Sequence, residues 1–292
     1  MYTATLLTAP DRPSLTAGGV EVLLARWQGH GLRWLAPGEA AEFELPHLPD
    51  DRWTVWAELQ VQGTDLAVQR SGSRRKRVLL ADMDSTMIAQ ECVDELAAAA
   101  GVGPQVAEIT ARAMNGELDF GAALLARVAL LRGLPQEVAA QVLAERITLT
   151  PGGRELVATM RAHGGYAALV SGGFTVFTGA VAAHLGFDEH RANTLLVDGG
   201  RLTGDVSRPI LGRQAKVDAL LDITARLGLQ PQDVLAVGDG ANDLGMLELA
   251  GTGVALHAKP AVAAQCGVRI HHGDLTALLY LQGYARDEFV SP

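Results

Sequence analysis

At 292 residues the chain is long enough for about two domains of roughly 150 residues each. Apolar residues make up 48% and charged residues 20%, which supports a buried core and excludes a disordered chain. A net charge of −9 speaks against a nucleic-acid partner, whose phosphates require a basic face.

The first residues, Met1 to Thr5, carry neither a basic segment nor a long apolar one, so no secretory leader is expected. All four tryptophans (Trp27, Trp34, Trp53, Trp56) fall in the first 56 residues, which marks off an N-terminal module over residues 1–72. Its spacing predicts a helix around Val20 to Trp27 and an alternating, strand-like segment over Trp53 to Val61. It holds no constellation of chemically useful side chains. Ser71-Gly72-Ser73 and the basic run Arg74-Arg75-Lys76-Arg77 read as a solvated linker.

The second domain, residues 73–292, opens on the apolar run Val78-Leu79-Leu80-Ala81, a parallel strand covered on both faces, and passes directly into Asp82-Met83-Asp84-Ser85-Thr86. Four helices follow, Val93 to Ala100, Pro104 to Met114, Phe120 to Leu131 and Pro135 to Glu145, with Pro104 and Pro135 in first turns and Gly101, Gly116 and Gly133 at ends. They predict a helical cap, about residues 92–147, inserted after the first strand. Strands resume at Tyr166 to Val170, Val234 to Val237 and Gly253 to Leu256. Leu195 to Val197 and Arg201 to Thr203 form a hairpin through Asp198-Gly199-Gly200. This alternation means a doubly wound α/β domain. Residues 163–187 lack Asp, Glu, Lys and Arg, but six glycines and two histidines there fit a strand-turn-helix better than a membrane span. Cys92 and Cys266, in no metal or redox spacing, read as buried thiols of a reducing cytoplasm. His271-His272 point to opposite faces of a strand and read as surface residues.

Open α/β sheets bind ligands at the carboxyl ends of their strands, and four polar groups follow strand ends here. Asp82 and Asp84 form a pair where helix capping needs only one acid. Ser171-Gly172-Gly173-Phe174 offers a hydroxyl and free N–H groups to a phosphate. Lys216 stands near a helix start, and Gly238-Asp239-Gly240-Ala241-Asn242-Asp243 places two acids and an amide in one turn. Asp82 and Asp239 could supply hard oxygen ligands to Mg²⁺, with Asp243 a third candidate. Mg²⁺ and Lys216 would offset the repulsion between these acids and a phosphate, about 4 kcal/mol per charge pair at 4 Å and an effective dielectric of 20. Asp82 could then attack phosphorus while Asp84 protonates the leaving oxygen and later activates water.

These motifs resemble the haloacid dehalogenase superfamily of aspartyl-phosphate enzymes, in whose order they occur. Over about residues 77–285 the resemblance is to the branch acting on O-phospho-L-serine. Met114-Asn115-Gly116-Glu117-Leu118-Asp119-Phe120, Arg127-Val128 and Leu202-Thr203-Gly204-Asp205-Val206 add to it. The resemblance implies a Rossmann-like α/β core with a helical cap and a small N-terminal α+β domain similar to ACT-like regulatory extensions. It implies Asp82 as nucleophile and Asp84 as acid/base. It also implies Mg²⁺ held by Asp82, the Asp84 carbonyl and Asp239, with Asp243 in or beside that set. Ser171, Gly172 and Lys216 would bind phosphate with Asn242 nearby, and Glu91, Met114, Phe120 and Arg127 would contact substrate from the cap. The expected reaction is hydrolysis of O-phospho-L-serine, the last step of L-serine biosynthesis, with no membrane or nucleic-acid partner and with homodimerisation left open. Two alternatives stand beside it, another phosphate ester or transfer to an alcohol such as homoserine, and a sensory protein with a vestigial phosphatase core.

Overall fold

The computed structural model describes residues 1–114 and 117–290, of Met114 only the backbone. The N-terminal module runs β1 (Tyr2–Thr8), α1 (Ala17–Arg26), β2 (His30–Ala36), β3 (Ala40–Leu45), α2 (Arg52–Gln60) and β4 (Thr64–Arg70). Its antiparallel sheet has the order β2-β3-β1-β4, the ferredoxin-like β-α-β-β-α-β arrangement. Thr16 starts α1 by accepting the Gly19 N–H at 3.2 Å. The sheet is buried on both faces. Ala4, Leu6, Phe43 and Leu66 pack under its own helices, whereas Leu7, Ala40 and Ala67 join the core of the following domain.

The strand expected over Trp53 to Val61 is instead α2. Val55 turns to the module's own core and Trp56 packs against it, while Trp53 and Trp56 also reach the neighbouring domain, where Arg269 lies 3.9 Å from the Trp53 ring and His271 stacks edge-on to Trp56 at 5.4 Å. A helix with two apolar faces loses its single 3.6-residue stripe, and its sequence then imitates alternation. Trp53 and Trp56 therefore report on both domains.

The second domain begins with β5 (Val78–Ala81) and the cap helices α3 (Cys92–Ala99), α4 (Gly103–Met114), α5 (Phe120–Ala129) and α6 (Glu137–Arg146). It continues with α7 (Gly153–Ala162), β6 (Tyr166–Phe174), α8 (Thr175–Leu185), β7 (Glu189–Asn193), the hairpin β8 (Leu195–Asp198) and β9 (Arg201–Val206), and α9 (Arg213–Leu227). It closes with β10 (Val234–Gly238), α10 (Leu244–Leu249), β11 (Thr252–Leu256), α11 (Pro260–Ala263), β12 (Val268–Ile270) and α12 (Ala277–Leu281). The six-stranded sheet has the order β12-β11-β10-β5-β6-β7 with every pair parallel. In β5, Leu79 and Ala81 enter one buried cluster and Val78 and Leu80 the other, so all four residues are apolar. The two chain segments joining the cap to the core pair with each other, Ala89 N–H to Thr148 O and Thr150 N–H to Met87 O, each at 3.0 Å. β9 grips the cap through Gly133 N–H to Leu202 O and Leu202 N–H to Leu134 O, each at 2.8 Å.

The basic run between the domains is a clamp and not a solvated linker. Arg74 and Arg33 converge on the buried Glu42 at 2.7 and 2.6 Å, and Arg33 also donates to Gly283 O. Arg75 lies 4.0 Å over the Tyr284 ring and pairs with Glu288, and Lys76 donates to Gln232 O at 2.8 Å. His271 and His272 are likewise not free at the surface. Their N–H groups and that of Gly273 all donate to the fully buried Asp65 of β4, each at 2.9 Å. The same loop holds the end of the cap connection, through Leu275 N–H to Pro151 O. At Gly152 (φ 79°) a Cβ would come within 2.6 Å of the Thr276 nitrogen, so only glycine fits.

Replacing Asp65 with alanine strands three N–H donors at the seam, which should cost on the order of 3 kcal/mol. The expected result is a lower Tm with a red-shifted tryptophan spectrum as Trp53 and Trp56 gain solvent. An unchanged Tm and spectrum would show that the seam does not depend on this carboxylate.

Candidate active site

Parallel pairing of β5 and β10 brings the two acidic turns side by side. The Asp82 N–H continues the ladder to Val237 O at 3.0 Å, and the chain then folds back, with Met87 N–H donating to Met83 O at 2.8 Å. Ser85 sits within this turn at φ 54°, an unusual conformation for a residue with a side chain. Asp82 Oδ1 accepts the Met83 N–H at 2.8 Å and lies 2.7 Å from Lys216 Nζ. The Lys216 ammonium, 1% exposed, also donates to Asp243 Oδ1 at 2.5 Å. Asp243 is fully buried, and its Oδ2 accepts the Gly240 N–H at 3.0 Å. At Gly238 a Cβ would meet the Asp243 carboxyl carbon at 2.4 Å, so the missing side chain lets Asp243 lie against the strand end. Asp239 accepts from the buried Thr86 hydroxyl at 3.3 Å. Carboxylate oxygens of Asp82, Asp239 and Asp243 lie within 4.8 Å of one another.

Three acids around one ammonium leave an excess of negative charge. Burial, reinforced by Asp243, raises Asp82 well above the usual carboxylate range, and burial with Asp243 and Glu91 lifts Asp239 to about 6. Burial works against the Lys216 ammonium, but Asp82 and Asp243 outweigh it and hold its pKa up. Asp84, raised to about 7 by burial and by Glu91, accepts, among the described residues, only the Cys92 N–H at 3.3 Å, on Oδ2. Its Oδ1 is buried with no hydrogen-bond partner among the described residues. The donor set suits a hard cation: oxygen ligands only, crowded, and short of positive charge.

The phosphate-binding candidates adjoin this cluster. Ser171, 2% exposed, accepts the Gly173 N–H on Oγ at 2.9 Å, and a Cβ on Gly173 would meet Asp84 Oδ2 at 3.2 Å. Asn242 projects over Gly240, where a Cβ would lie 2.2 Å from its Oδ1. From the cap, Phe120 reaches Gly172, whose Cβ would come 2.8 Å from the ring. Glu91 starts α3 and accepts from Ser85 Oγ at 2.8 Å. Arg127, half-buried on α5, donates to Ala123 O at 3.2 Å and forms no ion pair among the described residues. Burial lowers its pKa, while the nearby carboxylates of Asp94, Glu91 and Asp84 act to raise it. The Met114 side chain lies outside the described residues. The roles of Thr86, Ser85 and the Cys92 N–H were not anticipated. Thr86 stood within the Asp-x-Asp-x-Thr run, but its partner is 153 residues away.

The Asp84 carboxyl should make metal-free protein pH-sensitive. Its folded pKa of about 7 exceeds the unfolded value of about 3.9, so its contribution is fully present below about pH 4 and is lost as pH rises through about 7. With EDTA present, Tm should fall by several degrees across that window, and Asp84→Asn should flatten the decline. An identical slope in the variant would contradict this assignment.

A family model described as haloacid dehalogenase-like hydrolase matches residues 79–248. A phosphoserine phosphatase of Streptomyces coelicolor is 43% identical over 256 residues, 86% of this chain and 62% of that protein. One from Albidiferax ferrireducens is 47% identical over 210 residues, covering 70% of this chain and 89% of the relative. The matched part thus spans about three fifths of the Streptomyces protein. Among solved structures, a haloacid dehalogenase family hydrolase of Salmonella enterica serovar Typhi superposes with a TM-score of 0.86 at 32% identity, covering 99% and 100% of the two chains. A probable phosphoserine phosphatase of Vibrio cholerae gives a TM-score of 0.80 at 33% identity, covering 98% and 88%. The extent of the family match and the identity to these relatives agree with the paired acidic turns: this chain belongs to the haloacid dehalogenase-like hydrolases.

Proposed function

We propose that the protein hydrolyses O-phospho-L-serine to L-serine and phosphate through a phosphorylated Asp82, the closing step of L-serine biosynthesis. The observation that carries the substrate is the presence, near Asp84, of the Glu91 carboxylate and of a half-buried Arg127 that forms no ion pair among the described residues. An ammonium against Glu91 and a carboxylate gripped by Arg127 would place the phosphate of a zwitterionic amino-acid ester toward Asp82.

Asp82 attacks phosphorus, forming the aspartyl O–P bond as the bond to the serine oxygen breaks. Asp84 gives its proton to that departing oxygen, which its raised pKa allows near neutrality. A water then attacks the same phosphorus, Asp84 takes its proton back, and the aspartyl bond breaks to release phosphate. Ser171 Oγ, the Gly172 N–H and Lys216 hold the phosphoryl oxygens, with Asn242 alongside. Asp82, Asp239 and the Asp84 carbonyl would hold Mg²⁺, which supplies charge neutralisation on phosphate. Asp243, with one oxygen on Lys216 and the other on the Gly240 N–H, instead fixes the lysine and the turn. Two free, buried cysteines suit a cytoplasmic setting.

Phosphate release from L-phosphoserine should require Mg²⁺ and stop with EDTA. Asp82→Asn should abolish turnover with the fold intact, and retained activity would contradict covalent catalysis. Arg127→Ala should raise KM for phosphoserine by about 10- to 100-fold, the loss of one strong charge-assisted pair. KM for p-nitrophenyl phosphate, which has no carboxylate, should stay nearly unchanged. Equal losses for both substrates would remove Arg127 from substrate recognition.

A further inference from the structure

We propose that Asn193 is a positioning residue that sets the geometry of the phosphate-binding loop and of the slot that receives the cap. The inference rests on reading Ser171 to Gly173 and Lys216 as the phosphate site. Asn193, fully buried, is the last residue of β7 and lies outside every motif of the sequence. Its side chain makes three hydrogen bonds, all to backbone. Nδ2 donates to Gly172 O at 2.8 Å and to Leu211 O at 3.1 Å, and Oδ1 accepts the Leu211 N–H at 2.8 Å.

The sheet explains why such a brace is needed. Pairing between β6 and β7 jumps from Val170↔Arg191 to Phe174↔Asn193, so Ser171, Gly172 and Gly173 bulge away from the ladder. The Gly172 carbonyl loses its strand partner there, and the Asn193 amide replaces it. A trans peptide directs its carbonyl and its N–H to opposite sides. Anchoring Gly172 O toward β7 therefore aims the Gly173 N–H the other way, where it meets Ser171 Oγ at 2.9 Å beside Asp84. Two consecutive glycines impose little preference of their own, so this peptide would flip readily without an anchor.

The other half of the brace fixes Leu211. The next residue, Gly212, is the N-cap of α9, which carries Lys216 one turn later. A Cβ on Gly172 would lie 2.8 Å from the Phe120 ring, and one on Gly212 would lie 2.9 Å from it. These glycines are thus two walls of a slot for the cap phenylalanine, and Asn193 ties both walls together from behind. One amide sets the direction of the Gly173 N–H that holds Ser171 Oγ, the approach of the Lys216 helix and the seat of Phe120.

The test compares the native protein with Asn193→Ser and Asn193→Asp, the latter isosteric but opposing an oxygen to two carbonyls. Calorimetric titration of the Mg²⁺-loaded protein with inorganic phosphate, on samples matched by circular dichroism, should give a Kd weakened about tenfold or more, as the loss of buried hydrogen bonds implies. KM for phosphoserine should rise by a similar factor, with a smaller fall in kcat. A merely structural role would lower the folded fraction and leave Kd for phosphate unchanged, and that result would overturn the proposal. Should both variants fail to fold, the ¹⁵N signal of the Asn193 side-chain amide in native protein decides: a shift on phosphate addition supports the brace, and an unmoved signal refutes it. Inorganic phosphate carries no serine moiety, so this outcome is independent of whether phosphoserine is the substrate.

Discussion

The structure depends on one electrostatic constraint. Asp82, Asp239, Asp243 and Lys216 converge at the ends of β5 and β10, where one buried ammonium cannot balance three carboxyl groups. Burying charge without compensation is expensive, and the raised pKa values of Asp82 and Asp239 record that cost. The arrangement becomes favourable only when further positive charge arrives, so the same imbalance that strains the free protein makes the site receptive to a hard cation. The fully apolar β5 and β10 hold the acids rigidly at their ends, and α9 delivers Lys216 between them.

Closure follows from the glycines. Gly172 and Gly212 leave room for the Phe120 ring, and Gly173 lets the backbone approach Asp84. The cap brings Glu91 and Arg127 to the same side and is held by its paired connections and by β9. The N-terminal module meets this machinery indirectly: Asp65 caps the loop that in turn holds Pro151, where the cap chain rejoins the core.

Local chemistry made the centre of the molecule legible in sequence. β5, β10 and their acidic turns stand out because a doubly covered strand must be apolar and its polar end then has no packing purpose. The helical cap was legible from its periodicity, prolines and glycines. What escaped depends on partners far away in the chain. α2 imitated a strand because Trp53 and Trp56 serve another domain's surface. Arg74 looked solvated because Glu42 is 32 residues distant, and His271 and His272 looked superficial because their N–H groups, not their rings, make the contact with Asp65. Asn193, between Ala192 and Thr194, has no local signature, since its function lies in two backbone segments that only the fold brings to it.

The central claim is that the buried carboxylate of Asp82 becomes covalently phosphorylated. Acid quenching within the first turnover on ³²P-labelled phosphoserine, followed by peptide mapping, tests it most directly. The account predicts a hydroxylamine-labile acyl phosphate on the peptide containing Asp82, forming before free phosphate reaches its steady rate. Phosphate release with no label on the protein at any time point, or label on a different residue, would contradict it.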